Sequence, residues 1–534
     1  MTSTAHPSAE DVRRALRSPS AYPGVVDSVE VIETHISHVY LAGDRVYKVK
    51  KPLRLPFLDA STLDRRRELC DQEVRLNRRW AGDVYRGVVE IRAGAGGEVR
   101  VGGGDGEVVE VAVEMDRLPG DRMLDRRLER GDVDHEVIDR VVESLVRFHA
   151  GAATGPEVDA HGRPDAVAAT VAGNLDEWID AGGVPAPIAR HLRAWIERTL
   201  RELRPLMQRR VAEGRIREGH GDLHAGNVCL LDESVVAYDC IEFEPAFRCI
   251  DVAAEVAFLA MDLASRGFAG FADALARRYA ERAEDAELRS LLPLYQVHYA
   301  IVRAKVAGLL ARDESADEDV RRSAERRARA AAVLAVRLTL PPFLALTCGL
   351  PGSGKSTVAR EIGSAFEAFV LRSDVERKRL AGVAPTESRR AADRSGIYTP
   401  AWNDRVYDHL LERAEERLAR GRSVVVDAAF PSAARRAPFV DLARRRHAPL
   451  VVIRLDTREE VAGERLRARA ADPTEASDAG PAVRDAARAR HEPPSEIPAR
   501  ELLVFRDDDA LPDLPFRLAE QLVIASSQPP RSPR

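Results

Sequence analysis

Lysine is nearly absent from this chain of 534 residues: of 81 basic residues, only Lys48, Lys50, Lys51, Lys305, Lys355 and Lys378 are lysine. Where lysine persists against such a bias, a compact point charge serves better than the planar fork of arginine. Cysteine is scarce too. The five (Cys70, Cys229, Cys240, Cys249, Cys348) are scattered, odd in number and form no C-x-x-C pair, so neither a disulfide framework nor a zinc site is suggested. They read as small buried apolar residues. No run approaches the ~18 consecutive apolar residues of a membrane span. Met1–Arg17 has no apolar core of the kind a secretion signal carries, so the expected location is cytoplasmic. A net charge of −5 leaves no basic footprint for nucleic acid; Arg444–Arg446 reads as a solvated helix face. What is present, 45% hydrophobic and 31% charged residues, is ordinary for a globular protein. The chain is too long for one core, and about 100–200 residues per domain implies roughly three units.

Residues 1–24, rich in Ser, Pro and Ala, read as a loosely held lead-in. Val25–Lys50 alternates apolar and polar residues around the turn Ala42-Gly43-Asp44, the pattern of an antiparallel hairpin. Lys48 and Lys50 share one face of its second strand, Arg45–Lys50; Lys48 sits deeper in the apolar alternation and is favoured. Ser61–Trp80 is expected to be a helix capped by Ser61 or Thr62. A strand, Gly-rich turn and second strand run from Tyr85 to Met115. From about residue 120 to 335 helical periodicity dominates, as in Val137–Ala150, where His149 reads as a packing residue. Pro341-Pro342 breaks the Ala/Arg-rich stretch Arg321–Arg337 and marks a boundary.

Two motifs carry the chemistry. His220-Gly221-Asp222-Leu223-His224-Ala225-Gly226-Asn227, with Asp239 twelve residues further on, has the form H-x-D-x-x-x-x-N…D. Flanked by short strands at Val228–Leu231 and Val235–Tyr238, it matches the spacing of a protein-kinase catalytic loop and its metal-binding Asp. Asp222 is placed as the base for the attacking hydroxyl, with Asn227 and Asp239 as Mg²⁺ ligands. Gly349-Leu350-Pro351-Gly352-Ser353-Gly354-Lys355-Ser356-Thr357 is a complete P-loop, entered from the apolar strand Phe343–Cys348. Its glycines let backbone N–H groups face phosphates, Lys355 reaches the β- and γ-phosphates, and Ser356 ligates Mg²⁺. Four of the six lysines (Lys48, Lys50, Lys51, Lys355) fall at or beside these places.

His220–Asn227 resembles the catalytic loop of the aminoglycoside phosphotransferase and choline kinase group, in which Gly replaces the Arg of H-R-D. With the P-loop, the chain resembles a two-part family: an aminoglycoside-phosphotransferase-like domain fused to a P-loop, AAA-type, kinase-like ATP-binding domain. The resemblance spans about residues 20 to 525. It implies an α+β protein-kinase-like domain (N-lobe 25–119, helical C-lobe 120–337) and an α/β P-loop domain with a parallel sheet (343–525), followed by a disordered tail (526–534). It implies that Glu73 pairs with the strand lysine. Backbone groups near Glu114 and Met115 would meet the adenine, just before a hinge at Arg117–Gly120. Asp251 would brace the catalytic loop, and the acceptor pocket would lie between residues 154 and 187. The G-x-G-x-x-G loop is missing; Thr34–Tyr40 stands in its place, with Ser37 at a phosphate.

Beyond the P-loop, strands and helices alternate: Phe369–Arg372, Val406–Arg420, Ser423–Asp427, Pro438–Arg446, Leu450–Leu455 and a helix from Arg458. Such βα alternation implies a parallel sheet. Val424–Asp427 resembles a Walker B strand, with Asp427 near Mg²⁺. Arg372–Arg377 resembles the D-x-x-R element of zeta toxins and polynucleotide kinases, in which Asp374 activates the acceptor hydroxyl and Arg377 orients it. Arg465 and Arg469 precede Asp472–Gly480, which resembles a kinase lid whose arginines neutralise the transferring phosphoryl group. The expectation is a two-headed kinase using ATP and Mg²⁺ on small-molecule hydroxyls. The competing readings are a nucleotide-sensing pseudokinase ahead of an active P-loop kinase, and a P-loop half acting on nucleic-acid ends.

Overall fold

The computed structural model describes residues 7–55, 58–94, 96–314, 316–382, 397, 399–470 and 481–527. By their contacts the residues divide into two compact units, 1–170 with 200–296 and 171–199 with 297–534.

The first unit opens with order where composition reads as a loose lead-in. Ala9–Ala15 is a helix closed by a capping box between Ser8 and Asp11. Alone, seven residues fall well short of the ~12–15 an isolated helix needs in water. Val12, Leu16 and Tyr22 hold it by burying themselves against Tyr40 and Tyr47, each worth about 1.5–3 kcal/mol when fully buried. The expected hairpin is part of a six-stranded antiparallel sheet, in the order Val29–Glu33, Ser37–Ala42, Arg45–Lys50, Glu107–Asp116, Tyr85–Ala93, Val99–Val101. Thr62, not Ser61, caps the helix Leu63–Ala81, accepting from Arg65 N. That helix packs on the Glu107–Asp116 and Tyr85–Ala93 strands and turns Glu73, Val74 and Asn77 inward.

The catalytic-loop sequence lies between two small ladders. Ile216–Glu218 pairs with Cys249–Asp251, and Val228–Leu230 pairs with Val235–Ala237. Pro156–Gly162 and Val252–Ser265 pack on the first ladder and His135–Gly151 on the second, and Ala269–Arg282 packs on His135–Gly151 and Val252–Ser265.

The second unit holds a five-stranded, all-parallel sheet in the order Phe369–Arg372, Val424–Asp427, Leu344–Cys348, Leu450–Asp456, Leu502–Arg506. The central strands are fully buried, as continuous apolar runs covered on both faces should be. Leu344, Leu346, Val424, Val426, Leu450 and Val452 pack with Leu410, Phe430, Phe439 and Leu442 in one core. Helices Lys355–Phe366 and Leu514–Ser526 pack together and bury Val358, Ile362, Leu518 and Leu522. Helix Glu318–Thr339, ahead of Pro341-Pro342, packs on both of them. The helix expected at 438–446 starts earlier, at Ala433–Arg445, because Pro438 is accommodated inside it. No helix among the described residues is long and apolar enough to cross a membrane. The expected lid 472–480 and the tail from 528 lie outside the described residues.

Candidate functional site

In the first unit the site is gathered from four separated segments. The strand Arg45–Lys50 alternates, so Lys48 and Lys50 project together toward the helix Leu63–Ala81. Both reach Glu73: Lys48 Nζ lies 2.8 Å from Oε1, and Lys50 Nζ donates to Oε2. Each lysine also meets a second carboxylate, Lys48 that of Asp239 and Lys50 that of Glu242. Glu73 is fully buried, and Lys50 is 1% exposed. Burial alone would push both lysines down, but the surrounding carboxylates prevail and hold them above the usual lysine value. Burial likewise acts to raise Glu73 and Asp239, and the lysines outweigh it and keep both below the usual carboxylate range. At Glu242 burial wins over Lys50, and its carboxyl is pushed up.

The loop His220–Asn227 is shaped by its carboxylate supports. Glu255 Oε1 accepts from the backbone N–H of His220 and of Gly221, both at 2.7 Å. Its other oxygen meets His149 Nε2 at 2.7 Å, and His149 Nδ1 lies 2.6 Å from the Tyr279 hydroxyl. Asp262 accepts from Ala225 N at 2.9 Å. Gly221 has φ 84°, and a Cβ there would stand 2.6 Å from Phe247 O. His220, whose imidazole burial pushes below its usual value against the pull of Glu255 and Asp222, contacts Tyr238 O through Nε2 at 2.9 Å. Asn227 Nδ2 donates to Asp222 O at 3.0 Å and lies 3.4 Å from Asp222 Oδ2. Asp239 adopts φ 65°, a left-handed conformation that Asp tolerates better than most residues, with its N–H on the Tyr85 hydroxyl.

Asp222, Asn227 and Asp239 thus lie around one short hairpin, and Lys48 and Glu73 join them. Asp251 does not brace the loop as expected; it binds Arg210 through both oxygens at 2.7 Å, and Arg210 also holds Asp285. Glu255 and Asp262 are the loop's supports, and sequence reasoning missed them. Nothing short-range marks them, since both sit on an apolar helix 28 or more residues beyond the loop's Asn227. Lys50 was legible as the alternative to Lys48 on the same strand face, and the structure puts both on Glu73; its second partner, Glu242, was not foreseen.

In the second unit the site is local. The P-loop joins the end of strand Leu344–Cys348 to helix Lys355–Phe366. Gly352 and Gly354 take φ 80° and 93°, and a Cβ on Gly352 would come within 2.9 Å of Ala462 O. Lys355 Nζ donates to Leu350 O at 2.8 Å, and Thr357 is exposed on the following helix. Asp427 ends the neighbouring strand opposite Arg372. Burial pushes its carboxyl up, opposed by a hydrogen bond from Ser356 and by Lys355. Arg465 Nη1 lies 3.4 Å from Ser353 O, beside Gly354. Asp374 lies in the first turn of helix Ser373–Leu380, and Arg377 Nη1 donates to Ile397 O at 2.8 Å. Arg469 lies on helix Glu459–Ala470, with its side chain outside the described residues. Arg484 was missed. It is 4% exposed, donates to Pro351 O in the P-loop and pairs with Glu459 at 2.8 Å.

The donor set suits Mg-nucleotide at both places. The Oγ atoms of Ser37 and Ser353 are buried with no partner among the described residues, and Ser37 lies across from Lys50 in register. Among those residues there is no cluster of three or more metal-binding side chains; Mg²⁺ is usually held by one or two carboxylates together with phosphates, which Asp239 with Asn227 and Asp427 with Ser356 fit.

A phosphotransferase enzyme family profile matches residues 61–291, and an AAA domain profile matches 344–494. The chain therefore joins a phosphotransferase domain to a P-loop, kinase-type domain. Uncharacterized protein Rv2004c of Mycobacterium tuberculosis is 31% identical over 451 residues, which cover 84% of this chain and 88% of that one; a Mycobacterium bovis protein matches equally. The chain belongs to the same family as these mycobacterial proteins. Among solved structures, amicoumacin kinase in complex with AMP-PNP, Ca²⁺ and Ami is 13% identical, covering 61% of this chain and 94% of its own, with a TM-score of 0.36. The APS kinase of Mycobacterium tuberculosis in complex with AMPPNP and APS is 19% identical, covering 34% and 98%, with a TM-score of 0.26.

Proposed function

We propose that the protein is a two-site, ATP-dependent phosphotransferase, each site passing the γ-phosphate to an alcohol group of a small molecule. Bound Mg-ATP supplies the phosphoryl group and part of the charge neutralisation. In the first unit, Asp222 takes the acceptor proton, Asn227 and Asp239 hold the metal, and Lys48, oriented by Glu73, meets the phosphates. In the second, the P-loop amides and Lys355 cradle phosphate, and Ser356 and Asp427 hold the metal. Asp374 receives the acceptor proton with Arg377 nearby, and Arg465 and Arg469 neutralise the transferring group. Phosphoryl transfer needs positioning and electrostatic stabilisation more than covalent help, and these residues provide both.

The observation that carries the reading is the convergence of Lys48, Glu73 and Asp239 from three segments, with Asn227 tied to Asp222 at 3.0 Å. The test is calorimetric. Lys355→Ala should keep one Mg-dependent ATP site per chain, and adding Asp239→Ala should remove it. A Lys355→Ala protein that binds no nucleotide would favour the second reading, in which the first domain is a binding module and the P-loop half alone is a kinase. The missing glycine-rich loop at Thr34–Tyr40 is the feature that supports that alternative.

A further inference from the structure

A kinase-type site needs one lysine on this strand, and here there are two, both buried on the same carboxylate. Glu73 offers one oxygen to Lys48 and the other to Lys50. The segment that follows the Val235–Ala237 strand answers with two carboxylates three residues apart, Asp239 to Lys48 and Glu242 to Lys50. The result is two parallel rungs between the lysine strand and this segment, joined through Glu73. The rungs differ in access. The Asp239 side chain is 45% exposed, whereas those of Lys50 and Glu242 are 0% and 3% exposed. Between the rungs, Cys240 N donates to Asn77 Oδ1 at 2.9 Å, one helical turn beyond Glu73.

Resting on the reading of the first unit as a nucleotide site, we propose that Lys50 and Glu242 are positioning residues: a closed ion pair that keeps the Asp239 segment seated on the lysine strand while Lys48 and Asp239 are free to exchange each other for phosphate and metal. The open rung has to be broken for nucleotide to be gripped, since Lys48 cannot satisfy Asp239 and a phosphate at full strength together. The closed rung has no such second task. Both of its side chains are closed to solvent, and Glu242 is committed to Lys50. With both lysines on Glu73, loss of the Lys48–Asp239 contact leaves the carboxylate of Glu73 still anchored by Lys50.

The test uses the full chain with Lys355→Ala, so that only the first site is read. Lys50→Met and Glu242→Gln should each weaken the Mg²⁺ dependence of nucleotide binding by about tenfold to a hundredfold, the range for residues that orient a metal ligand. Each single variant leaves a buried charge behind and loses stability for that reason alone, so the deciding variant is Lys50→Met with Glu242→Leu, which removes both charges and should recover stability. Recovered stability with Mg²⁺ dependence still weakened supports positioning; Mg²⁺ dependence returning with stability overturns it. The second readout needs no nucleotide. Hydrogen exchange at Cys240–Phe243 should rise in the double variant while His220–Asn227 stays protected, and unchanged exchange at Cys240–Phe243 also overturns the proposal. If the Lys355→Ala parent itself binds no Mg-nucleotide, the two-site reading fails and takes this inference with it. A parent that binds normally confines any failure to the Lys50–Glu242 pair.

Discussion

The two candidate sites solve the same electrostatic problem by different means. The P-loop site takes most of its parts from nine consecutive residues, and its main device is backbone: glycines at φ 80° and 93° turn the chain tightly from the strand into helix Lys355–Phe366. The first site takes its parts from a strand, a helix, the loop His220–Asn227 and the segment after a hairpin, and its main device is paired charge. Lys48, Lys50, Glu73, Asp239 and Glu242 form one network. A site made of contiguous backbone is sensitive to its own loop. A site made of side chains from distant segments is sensitive to whatever holds those segments, including residues that touch no ligand.

The hardest way to break the first site without touching the second is therefore through Arg210, buried between Asp251 and Asp285. Arg210→Met leaves two buried carboxylates uncompensated, and breaking such a pair costs about 3–5 kcal/mol. Chemical denaturation should show the first unit losing that much while Lys355-dependent nucleotide binding persists. Equal loss at the P-loop site would mean that the contrast is wrong. Next comes Asp222→Asn. It should lower first-site turnover by about 10³-fold, within the range for a positioned acid or base, and leave nucleotide affinity unchanged; a matching fall in affinity would make Asp222 a binding residue instead. Lys355→Ala should weaken nucleotide at the second site by roughly 100-fold, as loss of charge-assisted contacts to phosphate implies, and reduce the calorimetric stoichiometry from two to one.

The smallest effect is a difference of sign with pH. Glu73 is held below its usual 4.5 by the lysines against the pull of burial. Its contribution to stability is present above pH 4.5 and is lost as pH falls through its lower folded value. Asp427 is raised above its usual 3.8 by burial, so it costs stability as pH rises from 3.8 through its folded value. Glu73→Gln should lower the thermal midpoint at pH 7, with the deficit shrinking in acid. Asp427→Asn should raise the midpoint at pH 7, with the gain shrinking toward pH 4. Parallel trends in the two variants would remove the electrostatic half of the comparison.

Legibility follows the same division. Everything that depends on close spacing could be read from the chain: the P-loop, the H-x-D-x-x-x-x-N loop, the Asp427 strand and the alternation that puts Lys48 beside Lys50. The order of Ala9–Ala15 could not be read, because its stability comes from Tyr40 and Tyr47, more than twenty residues away. Nor could the choice between Asp251 and Glu255 as the support of the catalytic loop. Both acids lie near the start of one helix, and only the angle at which that helix meets His220 and Gly221 decides which carboxylate faces them.

By itself, then, the sequence determined the two units' chemical vocabulary, since local spacing dictates which backbone and side-chain groups fall within one turn or one strand of each other. Tertiary structure alone decided the partners. Two lysines came to share Glu73, Arg484 reached the P-loop carbonyl of Pro351, and Glu242 was left with a closed ion pair. Such pairings depend on how segments separated by up to nearly 200 residues pack, and no local spacing carries that information.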